Sequence, residues 1–264
     1  MQEKVALLGE MIRAHAPLVI AYSGGVDSAY LLAETHRLLG AQMLGVIADS
    51  PSLPRKALTD ALALAAEIGA PVEVAVTREL DNPDYANNPL NRCYFCKAEL
   101  FTKLDQLAME RGFRGIAYGE NADDAQHFRP GRQAAAEFAI LAPLKDAGLT
   151  KAEIRELSRE LGLPTADAPA QPCLSSRIPH GTPVTLEALS MVERGEEWVR
   201  SLGFRVFRVR HLVEPDRPAR ARVQIAPSEM ERIPGLRNQL ESGLRAVGYH
   251  DVEIDPAGYR APAH

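Results

Sequence analysis

Short apolar runs alternate with helix-period segments from residue 17 to about residue 165, and few architectures accommodate that order. Strands that alternate with helices build a parallel sheet with helices packed on its faces. Gly69 and Gly112 follow two of the helical segments, where glycine typically ends a helix. The pattern therefore predicts an α/β fold with a doubly wound parallel sheet. The predicted strands are residues 17–22, 42–48, 71–76, 115–118 and 138–144, and the predicted helices are residues 26–39, 54–68, 97–111 and a segment that starts with a capping box at 150–153.

The composition changes to Pro, Ser, Thr and small residues between Ala166 and Pro183, and we expect a domain boundary there. Long ordered loops of this kind often carry function. The expected organisation is a sheet domain over 1–168, a functional loop over 169–184 and a smaller C-terminal α+β domain over 185–264. Within the smaller domain, the predicted helices are residues 185–202 and 229–247, and the predicted strands are residues 204–212, 221–226 and 249–255.

Charge and cysteine content exclude several classes of protein. The 264 residues carry a formal net charge of −5, so the general positive field of a nucleic-acid binder is absent. Three cysteines are too few for a disulfide scaffold and indicate a reducing, cytoplasmic compartment. The N-terminus lacks a signal-peptide pattern, and the longest apolar runs are far shorter than the roughly 20 residues of a membrane span. We expect a soluble protein that does not bind membranes.

A glycine-rich loop with the sequence S-G-G-V-D-S, at Ser23–Ser28, joins the first predicted strand to the first predicted helix. Doubly wound sheets bind ligands at this edge. The two glycines allow an anion to approach the backbone, and helix N–H groups and serine hydroxyls donate hydrogen bonds to it. Asp27 would repel a phosphate unless a divalent cation lies between them, so it indicates Mg²⁺. The spacing differs from those of P-loop hydrolases and dinucleotide-binding proteins, and a simple strand-to-helix turn is the alternative.

This loop resembles the S-G-G-x-D-S signature of the PP-loop ATP pyrophosphatases, which bind ATP, release pyrophosphate and leave an adenylated substrate. The resemblance implies that the loop holds the pyrophosphate and that an acidic residue after the second strand lies near the nucleotide, where Asp49 and Ser50 stand. Asp123 and Asp124 follow the fourth strand at the same edge and are candidates to contact Mg²⁺ or the adenylate, with a helix cap as the alternative. The expected nucleotide contacts are Ser23, Gly24, Gly25, Asp27, Ser28 and Asp49.

Adenylation turns an oxygen into part of a leaving group, so a further residue must supply the nucleophile. Cys173 is the first candidate, because it lies in the segment P-C-L-S-S-R within the predicted functional loop. Arg177 and His180 follow closely, and cationic neighbours lower the pKa of a thiol. We expect Cys173 and Arg177 to act in catalysis together with Asp27. A buried, inert cysteine is the alternative.

Four further segments extend the resemblance over nearly the full length. They are N-R-C-Y-F-C-K at 91–97, G-E-N-A-D-D at 119–124, P-C-L-S-S-R at 172–177 and R-V-R-H at 208–211. With them the chain resembles the LarE-type ATP-dependent sulfur transferases. The resemblance implies adenylation of the carboxylates of pyridinium-3,5-biscarboxylic acid mononucleotide and their conversion to thiocarboxylates, for the nickel-pincer cofactor of lactate racemase. It also implies ATP and Mg²⁺ as requirements and, by analogy, a homohexamer.

The family resemblance implies two routes for the sulfur. In one route, a loop cysteine gives up its own sulfur and becomes dehydroalanine. In the other, that cysteine and a C-x-x-C pair hold a [4Fe-4S] cluster, and Cys93, Cys96 and Cys173 match this pattern. Three thiolates leave one iron of such a cluster open, whereas structural zinc takes four ligands. We expect the cluster route, with a cysteine desulfurase or another sulfide source as partner. Sacrificial loss of the Cys173 sulfur, and a redox pair or a zinc half-site at the other two cysteines, are the alternatives.

Arginine is concentrated in residues 200–222, which contain seven arginines and no lysine. Arginine suits bidentate recognition of phosphate, and Arg208 and Arg210 share one face of a predicted strand. The resemblance implies that they hold the substrate phosphate with Glu196, and that Glu229 lies near the metal. The candidate Mg²⁺ ligands are thus Asp27, Asp124, Glu196 and Glu229. For the arginines, the alternative is a solvated strand face. There are two alternative functions: a PP-loop enzyme that thiolates tRNA, which the negative net charge disfavours, and a nucleotide-binding protein without chemistry.

Overall fold

The computed structural model describes residues 1–126, 130–169, 172–214 and 216–259. The chain divides into two compact units, the first formed by Met1–Glu79 with Asn91–Gln171 and the second by Leu80–Leu90 with Pro172–His264. The short segment Leu80–Leu90 thus belongs to the second unit although both its neighbours in sequence belong to the first. Residues 170 and 171 of the predicted functional loop and residues 260–264 of the predicted C-terminal domain lie outside the described residues.

Among the described residues, the first unit carries a four-stranded sheet whose strands all run parallel. The strands are β1 (Leu18–Tyr22), β2 (Met43–Asp49), β3 (Val72–Val76) and β4 (Gly115–Tyr118), in the order β3-β2-β1-β4. In the register, Ala21 lies beside Val46 on one side and beside Tyr118 on the other. The carboxyl ends of β1, β2 and β4 therefore meet at one edge of the sheet.

Helices cover both faces of this sheet because β1 alternates its apolar side chains between two cores. Leu18, Ile20 and Tyr22 pack into one core and Val19 and Ala21 into the other. The first core is completed by α1 (Gln2–Ala14), α2 (Val26–Leu39), α3 (Arg55–Ile68), α7 (Pro143–Asp146) and α8 (Lys151–Glu160), and the second by α5 (Arg92–Arg111) and α6 (Pro130–Glu137). The predicted doubly wound α/β fold is confirmed.

The structure corrects the prediction of a strand over 138–144. Only Leu141 pairs with the sheet there, through its N–H to the carbonyl of Ile116 at 2.8 Å and its carbonyl to the N–H of Tyr118 at 3.0 Å, in a single bridge. Pro143 then begins α7, since proline suits the first turn of a helix and lacks the N–H that a strand would use. Helix α5 also begins five residues before the predicted position, so the C-x-x-C pair lies on the helix itself.

In the second unit, three described strands form a mixed sheet in the order β5-β6-β7. The strands β5 (Phe207–Leu212) and β6 (Arg220–Ile225) are antiparallel, and β7 (Asp251–Ile254) runs parallel to β6. Helices α9 (Leu186–Ser201) and α10 (Ile233–Val247) pack against this sheet, and the short α4 (Pro83–Ala86) belongs to the segment Leu80–Leu90. The helix expected from residue 229 begins at Ile233, after a 3₁₀ turn over Pro227–Arg232.

No helix within the described ranges is both long and apolar enough to cross a membrane.

Candidate active site

The loop Ser23–Ser28 follows β1 and leads directly into α2, as predicted. Gly24 adopts a positive φ of +74°, and a Cβ there would lie 2.7 Å from the Cβ of Ala61 on α3. Both the backbone conformation and the space therefore require glycine. Gly25 is the N-cap of α2 and has no side chain to occupy the first helix N–H groups. The loop leaves a helix N-terminus available for an anion.

The two serines of the loop close it with hydrogen bonds. The Oγ of Ser28 accepts from the N–H of Ser23 at 3.2 Å, lies 3.0 Å from the Oγ of Ser23 and donates to the carbonyl of Gly25 at 3.0 Å. Ser28 is buried whereas Ser23 is exposed. Ser28 thus shapes the loop, and Ser23 is the hydroxyl placed to meet a ligand.

Gly119, directly after β4, supports the same loop from the neighbouring strand. A Cβ at this position would lie 2.7 Å from the N of Ser28 and 2.9 Å from the carbonyl carbon of Asp27. Both of these atoms are backbone atoms, so a larger residue could not be accommodated by rotating a side chain. Gly119 is the residue that permits the G-E-N-A-D-D segment to approach the loop Ser23–Ser28.

Asp27, in the first turn of α2, forms an ion pair that the sequence analysis did not foresee. The Nζ of Lys151 lies 2.6 Å from its Oδ2, and the amide of Asn121 donates to the same oxygen at 3.4 Å. Its Oδ1 is buried and has no hydrogen-bond partner in the part of the chain that the structure describes. A buried carboxylate oxygen without a partner is costly, and it marks a position for a donor or a cation from a ligand.

Lys151 is the first residue of α8 and stands at the positive end of that helix. Two carboxylates offset this unfavourable placement, since Asp27 pairs with its Nζ and Asp123 accepts from its backbone N–H at 2.8 Å. Asp123 thus accepts from the first backbone N–H of α8, and its contact with Mg²⁺ or the adenylate stays a prediction. The cluster of Asp27, Asp123 and Lys151 joins three segments at the carboxyl edge of the sheet.

The other acidic candidates of the first unit lie at the same edge. Asp49 ends β2 and pairs with Arg55, which also donates to the carbonyl of Ser50 at 2.7 Å. The hydroxyl of Ser50 donates to the buried Glu79. Asp124 is buried and accepts from the N–H of Asn121 at 3.4 Å. Asp49 and Asp124 are thus held in place by neighbouring groups of their own unit.

The three cysteines form no disulfide and divide between the two units. Cys93 and Cys96 lie in the first turns of α5, three residues apart and therefore on one side of the helix. Cys93 is exposed, Cys96 is partly buried, and Cys173 lies in the second unit at the start of a 3₁₀ turn over Leu174–Arg177. Among the described residues, no group of three or more His, Cys, Asp or Glu side chains is arranged to hold a metal ion.

Arg177 holds the turn that carries Cys173. Its guanidinium forms a bidentate ion pair with Glu196, at 2.8 and 2.9 Å, and both side chains are buried. The remaining nitrogen donates to the carbonyls of Pro172 at 2.6 Å and Cys173 at 3.0 Å. Arg177 thereby fixes the backbone of the cysteine. His180 is exposed and lies near the carbonyl of Asn88, at 3.4 Å.

Arg208 and Arg210 share the face of β5 opposite the core, as the alternation predicted. Arg208 lies 4.6 Å over the ring of Tyr259, and Arg210 donates to Gln224 at 2.9 Å and to the carbonyl of Ser176 at 2.7 Å. Burial, and next the like charge of Arg177, lower the pKa of both guanidinium groups. Crowded, partly desolvated cations are stabilised by a bound anion, so this face suits a phosphate.

The two glutamates expected near the substrate or the metal have protein partners. Glu196 pairs with Arg177 and accepts from the N–H of Val209 on the edge strand β5, at 3.2 Å. Glu229 accepts from the backbone N–H groups of Arg205 and Val206, both at 3.1 Å. Both carboxylates therefore fix the strand that carries the arginines, and a role as Mg²⁺ ligands remains a prediction.

Sequence reasoning missed Lys151, Gly119 and the contacts of Leu80–Leu90. The capping box at 150–153 predicted the start of the helix but gave no role to Lys151. A signal was present, because a lysine at the first position of a helix opposes the helix dipole and calls for a nearby anion. Gly119 stands directly after a strand, where a glycine indicates close approach of another backbone.

A parallel sheet with an S-G-G-x-D-S loop at its carboxyl edge defines the class of PP-loop nucleotide-binding proteins, and curated relatives specify the family. An uncharacterised protein of Synechocystis is 40% identical over 96% of this chain and 92% of its own length. The pyridinium-3,5-bisthiocarboxylic acid mononucleotide synthase of Lactiplantibacillus plantarum is 28% identical over 98% of this chain and 92% of its own length. One of the subunits of the glutamine-hydrolysing GMP synthase of Methanococcus vannielii is 27% identical over 58% of this chain and 53% of its own length.

No protein-family model matches the chain. The similarity to the first two relatives nevertheless spans nearly the whole of each protein. The chain belongs to the LarE-type family of ATP-dependent sulfur transferases, within the PP-loop superfamily, and is an ATP-dependent sulfur-transferring enzyme.

Proposed function

We propose that this enzyme converts the carboxylates of pyridinium-3,5-biscarboxylic acid mononucleotide to thiocarboxylates. The name of the Lactiplantibacillus relative gives pyridinium-3,5-bisthiocarboxylic acid mononucleotide as the compound that it makes. The observation that carries the proposal is the hydrogen bond of 2.7 Å from Arg210 to the carbonyl of Ser176. It joins the arginine face of β5 to the turn that carries Cys173. A substrate held by its phosphate on that face is thus presented to a cysteine loop of the same unit.

The first step is adenylation in the first unit. A substrate carboxylate oxygen attacks the α-phosphorus of ATP, the bond to the β-phosphate oxygen breaks, and pyrophosphate leaves with that electron pair. Hydroxyl and N–H donors of Ser23–Ser28 at the N-terminus of α2 hold the pyrophosphate. Lys151, beside Asp27, supplies a cation for the charge that develops on the leaving group. Asp49 lies at the neighbouring strand end to contact the nucleotide.

The carboxylates of the first unit fit a magnesium ion. Asp27 has a buried oxygen without a partner among the described residues, and hard carboxylate oxygens are the ligands that Mg²⁺ prefers. Asn121 contacts both Asp27 and Asp124, so we propose these two as ligands. A bound Mg²⁺ would neutralise charge on the nucleotide phosphates. Glu196 and Glu229 are weaker candidates because backbone N–H groups use their oxygens.

The second step replaces the adenylate by sulfur. A sulfur nucleophile attacks the carbonyl carbon of the acyl adenylate, the bond to the AMP oxygen breaks, and AMP leaves with that electron pair. In the sacrificial route the thiolate of Cys173 attacks and forms a thioester; removal of its α-proton then breaks the Cβ–Sγ bond, so dehydroalanine remains and the sulfur leaves on the substrate as the thiocarboxylate. In the cluster route Cys173 would keep its sulfur as a ligand, and the cluster would supply the sulfide that attacks. In both routes Arg177 fixes the backbone carbonyl of Cys173. Arg208 and Arg210 hold the mononucleotide phosphate so that the acyl group is oriented for attack.

We further propose that Cys93, Cys96 and Cys173 bind a [4Fe-4S] cluster. Two cysteines on one side of a helix and a third cysteine in the chain, none of them in a disulfide, match the thiolate ligands of iron–sulfur clusters. A cluster with three cysteine ligands supplies an open iron for an additional sulfide. We expect a cysteine desulfurase or free sulfide as the source, a cytoplasmic homo-oligomer, and a product that serves the nickel-pincer cofactor of lactate racemase.

Anaerobic purification followed by iron and sulfide analysis and electron paramagnetic resonance tests the cluster. We expect about four irons per chain in the wild type, and loss of the signal in the Cys93→Ser and Cys96→Ser variants. Iron-free wild-type protein that still forms thiocarboxylate would refute the cluster and favour the sacrificial route.

Pyrophosphate release in the presence of the pyridinium mononucleotide tests the substrate. The Arg208→Ala variant should raise the KM for the mononucleotide at least about tenfold but should leave the KM for ATP unchanged. Equal activity with and without the substrate phosphate would contradict the assignment of the arginine face.

A further inference from the structure

The segment Leu80–Leu90, which we call the clasp, leaves the first unit after Glu79 and returns to it at Asn91. Between these points it packs within the second unit against the residues that follow Cys173. The backbone N–H of Val184 donates to the carbonyl of Ala86 at 2.8 Å, and that of Gly181 donates to the carbonyl of Asn88 at 3.0 Å. Ordering a segment of this length costs conformational entropy, and the contacts of the clasp with the second unit must offset that cost.

Tyr85 joins the clasp to the turn of Cys173. Its side chain is 1% exposed, and its hydroxyl lies 2.7 Å from the Oγ of Ser175, which is itself fully buried. Ser175 is two residues after Cys173 in the 3₁₀ turn Leu174–Arg177. A buried aromatic ring has few alternative positions, so this hydrogen bond fixes the turn at one point.

Asn88 fixes the residues that follow the turn. Its side-chain amide donates to the carbonyls of Pro179 and Thr182, both at 2.8 Å, and lies 3.3 Å from that of Ile178. The residue is fully buried and has a φ of +55°, a conformation that asparagine adopts more readily than most residues. The backbone conformation of Asn88 thus places its side-chain amide where it donates to several carbonyls of the residues after the turn.

Arg177 holds the same turn from the side of α9 through Glu196 and through the carbonyl of Cys173. The backbone around the cysteine is thus fixed on two sides, by an ion pair and by the clasp. We propose that Tyr85 and Asn88 are positioning residues for sulfur transfer, which hold the turn that carries Cys173 in one conformation. This inference rests on the proposed function, because it takes Cys173 as the residue that holds the cluster or, in the sacrificial route, donates its own sulfur.

Two rates distinguish a positioning role of the clasp from a purely structural one. Pyrophosphate release depends on the nucleotide loop of the first unit, which the clasp residues do not belong to. Formation of the thiocarboxylate depends on the position of the Cys173 turn. Loosening the turn should therefore lower the thiocarboxylate formed per pyrophosphate released, whereas a general loss of stability lowers both rates together.

The test uses the full chain, ATP, Mg²⁺, an iron and sulfide supply and the pyridinium mononucleotide. We expect Asn88→Ala to lower the ratio of thiocarboxylate to pyrophosphate by about 10- to 100-fold, since displacement of a reacting group by about 1 Å costs this much. Tyr85→Phe, which removes one hydroxyl and keeps the ring, should lower it by a few fold. Asn87→Ala, at the exposed neighbouring position, is the matched control and should leave the ratio unchanged.

If Asn88→Ala does not fold, Tyr85→Phe decides the question, because its buried ring is retained. An unchanged ratio in a folded Tyr85→Phe variant of an active enzyme would overturn the positioning role. If the wild type itself releases no pyrophosphate with this substrate, the proposed function fails first, and the clasp proposal fails with it.

Discussion

The approach of Gly119 to the nucleotide loop gives a sharp test of how the first unit is built. In a Gly119→Ala variant, the new Cβ would lie 2.7 Å from the N of Ser28, where ordinary contact begins at 3.4 Å. The two backbones must therefore separate by roughly 0.7 Å, because no side chain can rotate to relieve the contact. Overpacking of this kind costs about 1–3 kcal/mol. For a chain of this size, that lowers Tm by roughly 2–4 °C for each kcal/mol.

The functional effect should exceed the effect on stability. A displacement approaching 1 Å at a binding loop reduces activity by up to about 100-fold, and we expect a fall of about 10- to 100-fold in kcat/KM for ATP-dependent pyrophosphate release. Gly235→Ala is the matched control, since a Cβ at Gly235 meets no atom within 4 Å. This substitution within α10 should leave the pyrophosphate rate unchanged. Wild-type KM for ATP and wild-type Tm in Gly119→Ala would refute the close approach and the role assigned to it.

Three further predictions concern single residues. Gly25→Ala should keep the wild-type Tm, because a Cβ there meets only the Oγ of Ser23 at 3.6 Å, yet it should raise the Kd of ATP measured by calorimetry; an unchanged Kd would argue against phosphate at the α2 N-terminus. Lys151→Met should lower the rate of pyrophosphate release at saturating ATP by at least about tenfold while Lys151→Arg restores part of it, and equal rates in both variants would exclude a charge effect. The hydrogen bonds from Lys4 and the backbone of Thr150 lower the pKa of Glu153 to about 2, so its contribution to stability is present above its ordinary pKa of 4.5 and is lost as the pH falls toward 2. Thermal unfolding of Glu153→Gln should accordingly depend less on pH than that of the wild type between these values, and parallel curves would contradict the assignment.

Local patterns were sufficient to predict the loop Ser23–Ser28 and the helix that follows it. The alternation of apolar runs identified β1, and the two glycines indicated the turn after it; binding of a nucleotide by this loop stays a prediction. The same local logic was wrong for residues 138–144, which have the apolar composition of a strand. Only Leu141 bonds to the sheet there, and Pro143 begins a helix instead. A run of apolar residues indicates burial, and it does not by itself distinguish a strand from a buried connection.

The electrostatic roles were beyond prediction because they depend on tertiary contacts. The guanidinium of Arg177 pairs with Glu196, nineteen residues away in sequence, and no local pattern indicated this partner. The ion pair between Asp27 and Lys151 joins residues separated by 124 positions. Glu229 accepts from the backbone N–H groups of Arg205 and Val206, which precede β5, and no sequence motif predicts these hydrogen bonds.

The clasp shows the same limit at the level of domains. Its composition of Asn, Asp and Pro indicated a loop, and no local signal assigned Leu80–Leu90 to the second unit. The assignment follows from Tyr85 and Asn88, whose hydrogen bonds reach residues about 90 positions further along the chain. Burial of polar side chains would have identified the clasp as a packed segment, but burial cannot be read from a single sequence.

Mass spectrometry of a complete reaction tests the central claim most directly. The enzyme, reconstituted anaerobically with iron and sulfide, is incubated with ATP, Mg²⁺ and the pyridinium mononucleotide. We predict that each converted carboxylate exchanges one oxygen for sulfur with release of AMP and pyrophosphate, and that more than one exchange occurs per chain while Cys173 keeps its mass. Loss of one sulfur from Cys173 per exchange would overturn the cluster route. Absence of any ATP-dependent exchange would contradict the account as a whole.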